Sequence, residues 1–275
     1  MSEEITESIT SFPFKAIGYV RTSSRYRYEM PRQASFSGVT AFIEWVKDEP
    51  RYALAAKDLA GFDRIWVVFC FHLNWDHWNP MVRPPVSPDG KKYSLFATRS
   101  PHRPNPIGLS CVQLVSVEKT GLLIGPCDIL DGTPVFDIKP YIPEADAFPA
   151  SAAGWHDRIK DTGYEVFFTD DFLVKSRFLA DLSSLDVENF CRIQLKYSPL
   201  DASRKRVKKA EGQETEYIIS CRTWKVRFHI DEEKKQILVK DLFSNYGKEE
   251  LLPGCPDKYG DKDFHRAFLE TFFPL

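Results

Sequence analysis

The longest apolar run of the chain is Ile65-Trp66-Val67-Val68-Phe69-Cys70-Phe71, residues 65–71. A run of this length suits a buried β-strand and falls far below the roughly 20 residues that a membrane-spanning helix needs. Similar short segments with strand character lie on both sides of it, and Gly and Pro residues separate them. They span residues 14–22, 39–46, 94–98, 111–117, 122–124 and 135–138.

This pattern decides the fold class of the first half of the chain. Many short strands, with one helix-like stretch at residues 51–59, are typical of a β-barrel or a β-sandwich. A parallel sheet would require a long helix between successive strands, and the sequence supplies none there. We therefore predict a mainly β domain over residues 12–150.

The second half of the chain has a different composition. Residues 143–154 are rich in Ala, Pro and Asp and indicate a domain boundary. Beyond them we expect a small α+β domain over residues 160–275. Its predicted elements are a strand at 164–169, helices at 171–182 and 186–197 with Asp as the cap of each, a hairpin of 217–230 with 236–243, and a helix at 263–273.

Charge and cysteine usage exclude several classes of protein. The formal net charge is -2, so any surface for nucleic acid has to be local rather than global. The six cysteines are scattered without a C-x-x-C pair, which disfavours a zinc site and predicts that no metal is bound. The chain has no apolar leader, so we expect reduced thiols, a cytoplasmic protein and no membrane association.

Three polar motifs are candidates for binding or catalysis. The first, residues 96–110, reads Phe-Ala-Thr-Arg-Ser-Pro-His-Arg-Pro-Asn-Pro-Ile-Gly-Leu-Ser. Its three prolines favour a stiff loop, and two arginines on such a loop suggest an anionic or polar ligand or else pairing with carboxylates. The second, residues 128–141, contains the turn pair Asp131-Gly132, which could bind a ligand or simply connect two strands. The third contains Pro31-Arg32-Gln33.

In their order along the chain and in their residues, these motifs resemble those of the TrmO family of tRNA adenine-N6 methyltransferases, also called TsaA-like proteins. The similarity extends over about residues 14–143 and includes Trp78-Asn79-Pro80-Met81-Val82-Arg83-Pro84-Pro85. In the second half the family motif D-P-R-P-x-Y is replaced by Asp201-Ala202-Ser203-Arg204-Lys205. The similarity is therefore strong in the first domain and loose in the second.

The resemblance implies a β-barrel methyltransferase that binds S-adenosylmethionine near a homodimer interface. It also implies methylation of N6 of threonylcarbamoyl-adenosine, next to the anticodon of threonine tRNA. The lack of a G-x-G-x-x-G sequence after a strand agrees with a cofactor site other than a Rossmann fold. Carried over by motif, the cofactor-binding residues are Pro31, Arg32, Gln33, His72, Leu73, Arg99, Leu109, Asp131, Gly132, Thr133 and Pro134.

Methyl transfer needs an aligned nitrogen and an acceptor for its proton, and no covalent enzyme intermediate. The candidate acceptors are Asn105, Asp131 and Tyr141. Arg99 and Arg103 are suited to phosphate or to the carboxylate of the modified base. The predicted RNA contacts are Arg103, Lys139, Arg204, Lys205 and Arg206, the last three from the basic run 204–209.

Two further interpretations stay open at this point. The same fold could methylate another nucleobase or a small molecule, because the second domain lacks the family motif. Alternatively, the chain could be a non-enzymatic RNA-binding adaptor that kept the barrel without turnover.

Overall fold

The computed structural model of the chain describes residues 13–26, 29, 40–74, 77–159, 163–201, 206–210 and 215–273. The chain divides into two compact units. The first, called here the barrel unit, comprises Met1–Thr22, Val39–Pro84 and Lys92–Ser151. The second, called the C-terminal unit, comprises Ser23–Gly38, Pro85–Lys91 and Ala152–Leu275.

The barrel unit is built almost entirely from short strands. In chain order they are β1 (Gly18–Arg21), β2 (Ala41–Trp45), β3 (Arg64–Cys70), β4 (Met81–Val82), β5 (Tyr93–Ser94), β6 (Ile107–Glu118), β7 (Gly121–Ile124) and β8 (Pro134–Pro140). The helices of this unit are α1 (Arg51–Ala56) and α2 (Pro143–Asp146). Strands in the order β1-β2-β7-β6-β3-β8 form a closed barrel in which all neighbours are antiparallel. Strands β4 and β5 form a separate two-stranded sheet. The structure thus confirms the predicted barrel and excludes the sandwich.

Alternation of side chains along the strands creates the barrel core. On β6 the even positions from 108 to 114 are buried, while positions 107, 109, 113 and 115 are exposed. Gly108 is required at its position, since a Cβ there would lie 2.3 Å from ring atoms of Phe69. The apolar side chains that fill the barrel are Val20, Ile43, Ile65, Val67, Phe69, Val112, Leu114, Leu122, Ile124 and Val135.

The C-terminal unit is an α+β structure, as predicted. Its elements are β9 (Glu165–Phe168), α3 (Asp170–Ser183), α4 (Val187–Lys196), β10 (Val207–Lys209), β11 (Glu216–Cys221), β12 (Trp224–Asp231), β13 (Gln236–Ser244) and α5 (Lys262–Phe272). The sheet order is β10-β11-β12-β13-β9, antiparallel except for the parallel β13–β9 pair. The helices cover one face of this sheet, and the core between them contains Phe172, Leu179, Phe190, Leu195, Val226, Phe228, Val239, Leu242 and Phe268.

The turn between β11 and β12 holds the segment that follows β1. The guanidinium of Arg222 donates from Nε to Glu29 Oε1 at 2.5 Å, from Nη2 to Glu29 Oε2 at 2.8 Å, and from Nη2 to the Ser23 carbonyl at 3.2 Å. Glu29 Oε2 also accepts hydrogen bonds from the backbone N–H groups of Arg25 and Tyr26. Only 5% of the Glu29 side chain is exposed. This ion pair is therefore shielded from solvent and anchors the segment within the C-terminal unit.

Two predicted strands of the barrel unit were wrong in extent. The strand predicted at 14–22 comprises only Gly18–Arg21, although Ile17 before it still donates to the Val135 carbonyl at 2.8 Å. The strand predicted at 94–98 is replaced by the two-residue β5 and a 3-10 turn at Leu95–Ala97. Thr98 closes that turn, because its backbone N–H and its hydroxyl both donate to the Leu95 carbonyl.

Two predictions for the C-terminal unit were also wrong in detail. Residues 217–230 form two strands rather than one, joined by a turn at Arg222-Thr223 that carries no Gly, Pro or Asn. The cap of α3 is Thr169, whose hydroxyl accepts from the Phe172 N–H at 3.3 Å, whereas α4 has the predicted Asp186 cap. Within the basic run 204–209, residues 207–209 form the edge strand β10.

All six cysteines lie in the described part of the chain and are free thiols, as predicted. Burial raises the pKa of Cys127 to about 11, which keeps this thiol protonated at neutral pH. Among the described helices, none combines the length and the apolar content that crossing a bilayer requires.

Candidate functional site

The motif at 96–110, the start of the motif at 128–141 and the residues after β3 meet at one end of the barrel. Strand β8 is antiparallel to both β1 and β3, and β6 is antiparallel to β3. The carboxyl ends of β1 and β3 therefore lie beside the amino ends of β6 and β8. The residues that follow β3 and those that precede β6 and β8 are the ones that the sequence singled out. We call this the motif end of the barrel.

His72 and Thr133 come together at the motif end. His72 follows β3 after Phe71, and its Nδ1 lies 3.4 Å from the Thr133 hydroxyl. Thr133 precedes β8 and is 3% exposed, and its carbonyl accepts from the Val20 N–H at 3.0 Å. The pair thus joins the ends of three strands, and the imidazole of His72 stays partly accessible to a ligand.

Asp131 and Gly132 form a turn against the end of β1. Gly132 has a φ of 73°, which a residue with a Cβ rarely adopts, and its N–H donates to the Val20 carbonyl at 2.8 Å. The Asp131 carboxylate accepts from the Thr22 N–H at 3.1 Å, and no other hydrogen bond of this carboxylate occurs among the described residues. Space beside Gly132 is open, because an added Cβ would meet no atom within 4 Å. The turn therefore offers a carboxylate oxygen and room for a ligand.

Ser110 and Asp128 are site residues that the sequence interpretation did not assign. Ser110 lies near the start of β6, and its hydroxyl donates to Asp128 Oδ1 at 2.6 Å. Burial raises the pKa of Asp128, while the Ser110 hydrogen bond and the positive charge of Arg99 oppose this rise. Asp128 stands at the beginning of the second motif, three residues before Asp131, so its motif position was the available signal.

The arginines of the first motif differ in how they are held. Arg103 Nη1 donates to the Thr98 carbonyl at 3.0 Å, and its guanidinium lies 5.6 Å from the ring centre of Phe96. Arg99 is exposed and forms no hydrogen bond or ion pair with a described residue. Arg103 therefore stabilises the loop, whereas Arg99 is available for an anionic group. Asn105 is exposed on the same loop, directly before Pro106, whose carbonyl accepts from the Phe71 N–H at 2.7 Å.

Apolar side chains are exposed next to these polar groups. Leu73 is 48% exposed and Leu109 is 60% exposed, and both belong to the predicted cofactor-binding set. Phe96 is 77% exposed. Pro134 begins β8 beside Tyr19 of β1 and is partly buried. An apolar surface next to carboxylates suits a ligand that combines a flat ring with positive charge.

The structure does not bring every predicted residue to the motif end. Tyr141 follows β8, so the length of that strand, roughly 20 Å, separates it from Thr133. Its ring instead packs against Trp66 at 5.8 Å. Lys139 is near the same distant end of β8 and pairs with Asp137 at 2.8 Å.

Other predicted residues fall elsewhere in the chain. Arg206 is exposed in the C-terminal unit, directly before β10. Pro31, Arg32, Gln33, Arg204 and Lys205 lie outside the described residues. In the described part of the chain, no cluster of three or more His, Cys, Asp or Glu residues could hold a metal ion.

Comparison with known proteins gives concordant findings. A profile of the family described as "tRNA-methyltransferase O N-terminal domain" matches residues 19–147. The chain is 32% identical over 233 residues to the "tRNA (adenine(37)-N6)-methyltransferase" of Escherichia coli, a match that covers 81% of this chain and 94% of that protein. It is 35% identical over 146 residues to a "Probable S-adenosyl-L-methionine-binding protein" of Pyrococcus abyssi, covering 53% of this chain and 76% of that protein.

Solved structures show the same fold. The structure described as "Crystal structure of TrmO from Pseudomonas aeruginosa" matches with a TM-score of 0.62 at 24% sequence identity. The match covers 84% of this chain and 98% of that one. At this identity the similarity supports the shared fold and carries no residue roles.

Proposed function

The chain belongs to the TrmO family, and we propose that it transfers the methyl group of S-adenosylmethionine to N6 of adenine 37 in a tRNA. The finer substrate that we propose is threonylcarbamoyl-adenosine at this position of threonine tRNA. One observation carries the proposal. His72, Arg99 and Asp131 are far apart in sequence, yet the segments that contain them lie at the same end of the barrel.

The described residues of the motif end fit the cofactor. S-adenosylmethionine supplies an electrophilic methyl group on a positively charged sulfonium, next to an adenosine and an amino-acid group. The open side of the Gly132 turn and the unused oxygen of Asp131 suit a ribose hydroxyl or a positive charge. The exposed side chains of Leu73 and Leu109 suit the adenine ring. The contact between Thr133 and His72 fixes the orientation of both side chains, which would line the cofactor site.

The proton of N6 requires an acceptor, and the three candidates lie at different ends of the barrel. Asn105 and Asp131 both lie at the motif end, whereas Tyr141 lies at the opposite end of β8 within the same barrel. An oxygen acceptor at N6–H orients the nitrogen and increases its electron density. We therefore propose Asp131 or Asn105 in this role in preference to Tyr141.

Arg99 is the proposed anchor for the substrate's negative charge. Its guanidinium has no ion-pair partner among the described residues, and a planar guanidinium binds a carboxylate or phosphate in bidentate fashion. The carboxylate of the threonyl group and a tRNA phosphate are the two groups that it would take. Arg103, Lys139, Arg204, Lys205 and Arg206 remain proposed RNA contacts.

A homodimer and a cytoplasmic location complete the proposal. The outward side of β6 exposes Ile107 at 40%, Leu109 at 60% and Val115 at 50%. A row of exposed apolar side chains on one strand is a suitable dimer surface. The free thiols agree with a reducing compartment.

The test is transfer of radiolabelled methyl groups to purified threonine tRNA with and without its threonylcarbamoyl group. Wild type is compared with Asp131→Ala and Arg99→Ala, and Arg99→Lys serves as the matched control that keeps the charge. Label in the modified tRNA alone, lost in both alanine variants, supports enzyme, substrate and site together. Equal labelling of both tRNAs contradicts the substrate assignment.

Two other outcomes correspond to the alternative functions. Cofactor binding by calorimetry without label in any tRNA would favour another nucleobase or a small molecule as acceptor. Binding of tRNA without cofactor binding would favour a non-enzymatic adaptor and would overturn the methyltransferase proposal.

A further inference from the structure

The sheet of the C-terminal unit has a second face that no described helix of that unit covers. On β12 the side chains at positions 224, 226, 228 and 230 are buried beneath the helices, so positions 225, 227 and 229 point the other way. On β11 positions 219 and 221 are buried, and 216, 218 and 220 share the second face. We call this surface the open face; its polar residues on β10, β11 and β12 are Lys208, Glu216, Ser220, Lys225, Arg227 and His229.

Strand register places three cations of the open face close together. Lys208 is opposite Ile218, and Ile218 is opposite Arg227, so Lys208 and Arg227 are two strands apart, or about 10 Å. Lys225 is two residues from Arg227 on β12, or about 7 Å along the strand. Ser220 lies directly opposite Lys225 and adds a hydroxyl donor between the strands.

Ion pairs do not neutralise these three cations in the described part of the chain, although the positive charge of Arg227 acts on Glu216. Neither Lys208 nor Lys225 nor Arg227 forms an ion pair with a described residue. Glu216, the acidic residue among them, is bound by Lys240 at 2.6 Å. The guanidinium of Arg227 lies over the Phe243 ring at 5.7 Å, which holds it without removing its charge. The open face therefore keeps an excess of positive charge.

Protection of a sheet edge explains only part of this arrangement. Lysine on an edge strand prevents pairing with other chains, and Lys208 on β10 fits that role. Lys225 and Arg227 are on β12, in the middle of the sheet, where no edge needs protection. A face that met only water would gain more from cross-strand pairs of opposite charge. Lys225 instead lies opposite Ser220 and Phe243, and the Asp241 carboxylate opposite Arg227 is bound by Lys175 at 2.7 Å. Unpaired cations at the centre of the sheet thus indicate an anionic ligand.

We propose that the open face is a docking surface for the phosphate backbone of the tRNA substrate. This inference rests on the proposed function for the identity of the RNA. Lysine and arginine at this spacing can contact several phosphates at once, while Ser220 donates a hydrogen bond to one of them. Such contacts orient the RNA without reading its sequence. Arg206, directly before β10, extends the same positive surface.

The experiment measures tRNA affinity at several salt concentrations for the wild type and for a double variant that carries both Lys225→Gln and Arg227→Gln. This double variant is called the sheet variant. Glutamine keeps chain length and polarity, so folding is preserved at these surface positions. The matched control is Lys248→Gln with Lys258→Gln, which removes two charges of the same unit outside the sheet. We expect the sheet variant to bind tRNA about 10- to 30-fold more weakly near 0.1 M salt, and its slope of log affinity against log salt to shrink by roughly 1.5.

A second readout separates this inference from the proposed function. Calorimetric affinity for S-adenosylmethionine is expected to stay unchanged, and methyl transfer is expected to show a raised KM for tRNA with an unchanged kcat. Equal affinities and equal salt slopes in the sheet variant and the control overturn the inference while methyl transfer stands. Loss of tRNA binding in the sheet variant supports the docking surface. If the wild type, the sheet variant and the control variant all fail to transfer methyl groups, the proposed function is overturned while the docking surface stands.

Discussion

Among the described residues, each unit contains a cluster of histidine, aspartate and hydroxyl groups, and the two clusters differ in how many of their hydrogen-bonding groups have partners. In the C-terminal unit His265 is fully buried and its ring stacks on Trp224 with the centres 3.7 Å apart. We call the group around it the His265 cluster; its members are Thr223, Ser244, Tyr246, Asp261 and His265. At the motif end of the barrel, the corresponding groups are His72, Thr133, Ser110, Asp128 and Asp131.

Every polar group of the His265 cluster is hydrogen-bonded within it. His265 Nε2 lies 2.9 Å from the Thr223 hydroxyl, and Nδ1 lies 2.7 Å from the Ser244 hydroxyl. A neutral imidazole with its proton on Nε2 satisfies both contacts, because Thr223 donates onward to Asp261 at 2.5 Å. Neither ring nitrogen of His265 remains available for a ligand. Residue type alone therefore does not distinguish a site from a core, whereas saturation of the hydrogen bonds does.

The largest expected effect comes from breaking a buried contact of the C-terminal unit. Arg222→Ala leaves the carboxylate of Glu29 buried without its cation, which destabilises folding by about 3 kcal/mol. Urea denaturation measures the change. Adding Glu29→Gln to this variant is expected to restore part of the loss, since the amide removes the buried charge. No recovery in the double variant would show that the guanidinium acts through packing instead.

The His265 cluster predicts a dependence of stability on pH. Burial lowers the pKa of His265 to about 4, although Asp261 and Asp257 act in the opposite direction. A histidine in the unfolded chain has a pKa of about 6.5. Between about pH 4 and this value, the unfolded chain therefore binds a proton that the folded chain does not. Stability therefore falls as the pH drops through this window, by up to about 1.4 kcal/mol per pH unit from this residue.

Urea denaturation of the wild type and of His265→Gln at about pH 7 and about pH 5 tests this dependence. The variant is expected to lose stability overall and to show the weaker pH dependence of the two proteins. Identical pH dependence would mean that His265 does not titrate in this range.

A change at the motif end is expected to alter binding rather than folding. Asp131→Asn keeps an oxygen acceptor for the Thr22 N–H and removes the negative charge. Affinity for S-adenosylmethionine should fall about 10- to 100-fold, the usual range for one lost hydrogen bond to a charged group. Calorimetry measures this affinity, and thermal melting is the control, with an unchanged melting temperature expected. A large drop in melting temperature with unchanged affinity would place Asp131 with the structural residues instead.

The smallest effect on stability is expected at the exposed pair of Lys139 and Asp137, distant from the motif end on β8. Exposed ion pairs contribute little to folding, so Lys139→Ala should leave the denaturation midpoint unchanged. Any loss of tRNA affinity in this variant then reports a direct RNA contact. An altered midpoint would show that the pair stabilises the barrel after all.

The barrel was predictable from sequence because its signals are local. Alternation along β6 and the continuous apolar run of β3 specify strands whatever their partners are. The candidate site residues could be proposed for a different reason, because most of those described fall within the motifs at 96–110 and 128–141 or directly follow β3. Their roles stay a prediction. Closure into a barrel then brought His72 to Thr133, a contact between residues 61 positions apart.

The remaining features depend on contacts that no local pattern specifies. The turn at Arg222-Thr223 was missed because its left-handed φ of 52° falls on an arginine, and a long-range ion pair stabilises it. The His265 cluster was missed since its members come from a turn, a strand end, a loop and a helix. The Ser110–Asp128 bond joins residues 18 apart across a chain reversal. In each case the signal lies in three-dimensional packing, which the one-dimensional pattern does not contain.

The bond between Arg222 and Glu29 also links the evolution of distant parts of the chain. These residues are 193 positions apart, and the family profile, which matches residues 19–147, contains only one of them. A substitution at either position leaves the other without its opposite charge. Across homologues that have both segments, positions 29 and 222 should therefore covary. Homologues that lack the second segment should carry a residue other than glutamate at position 29.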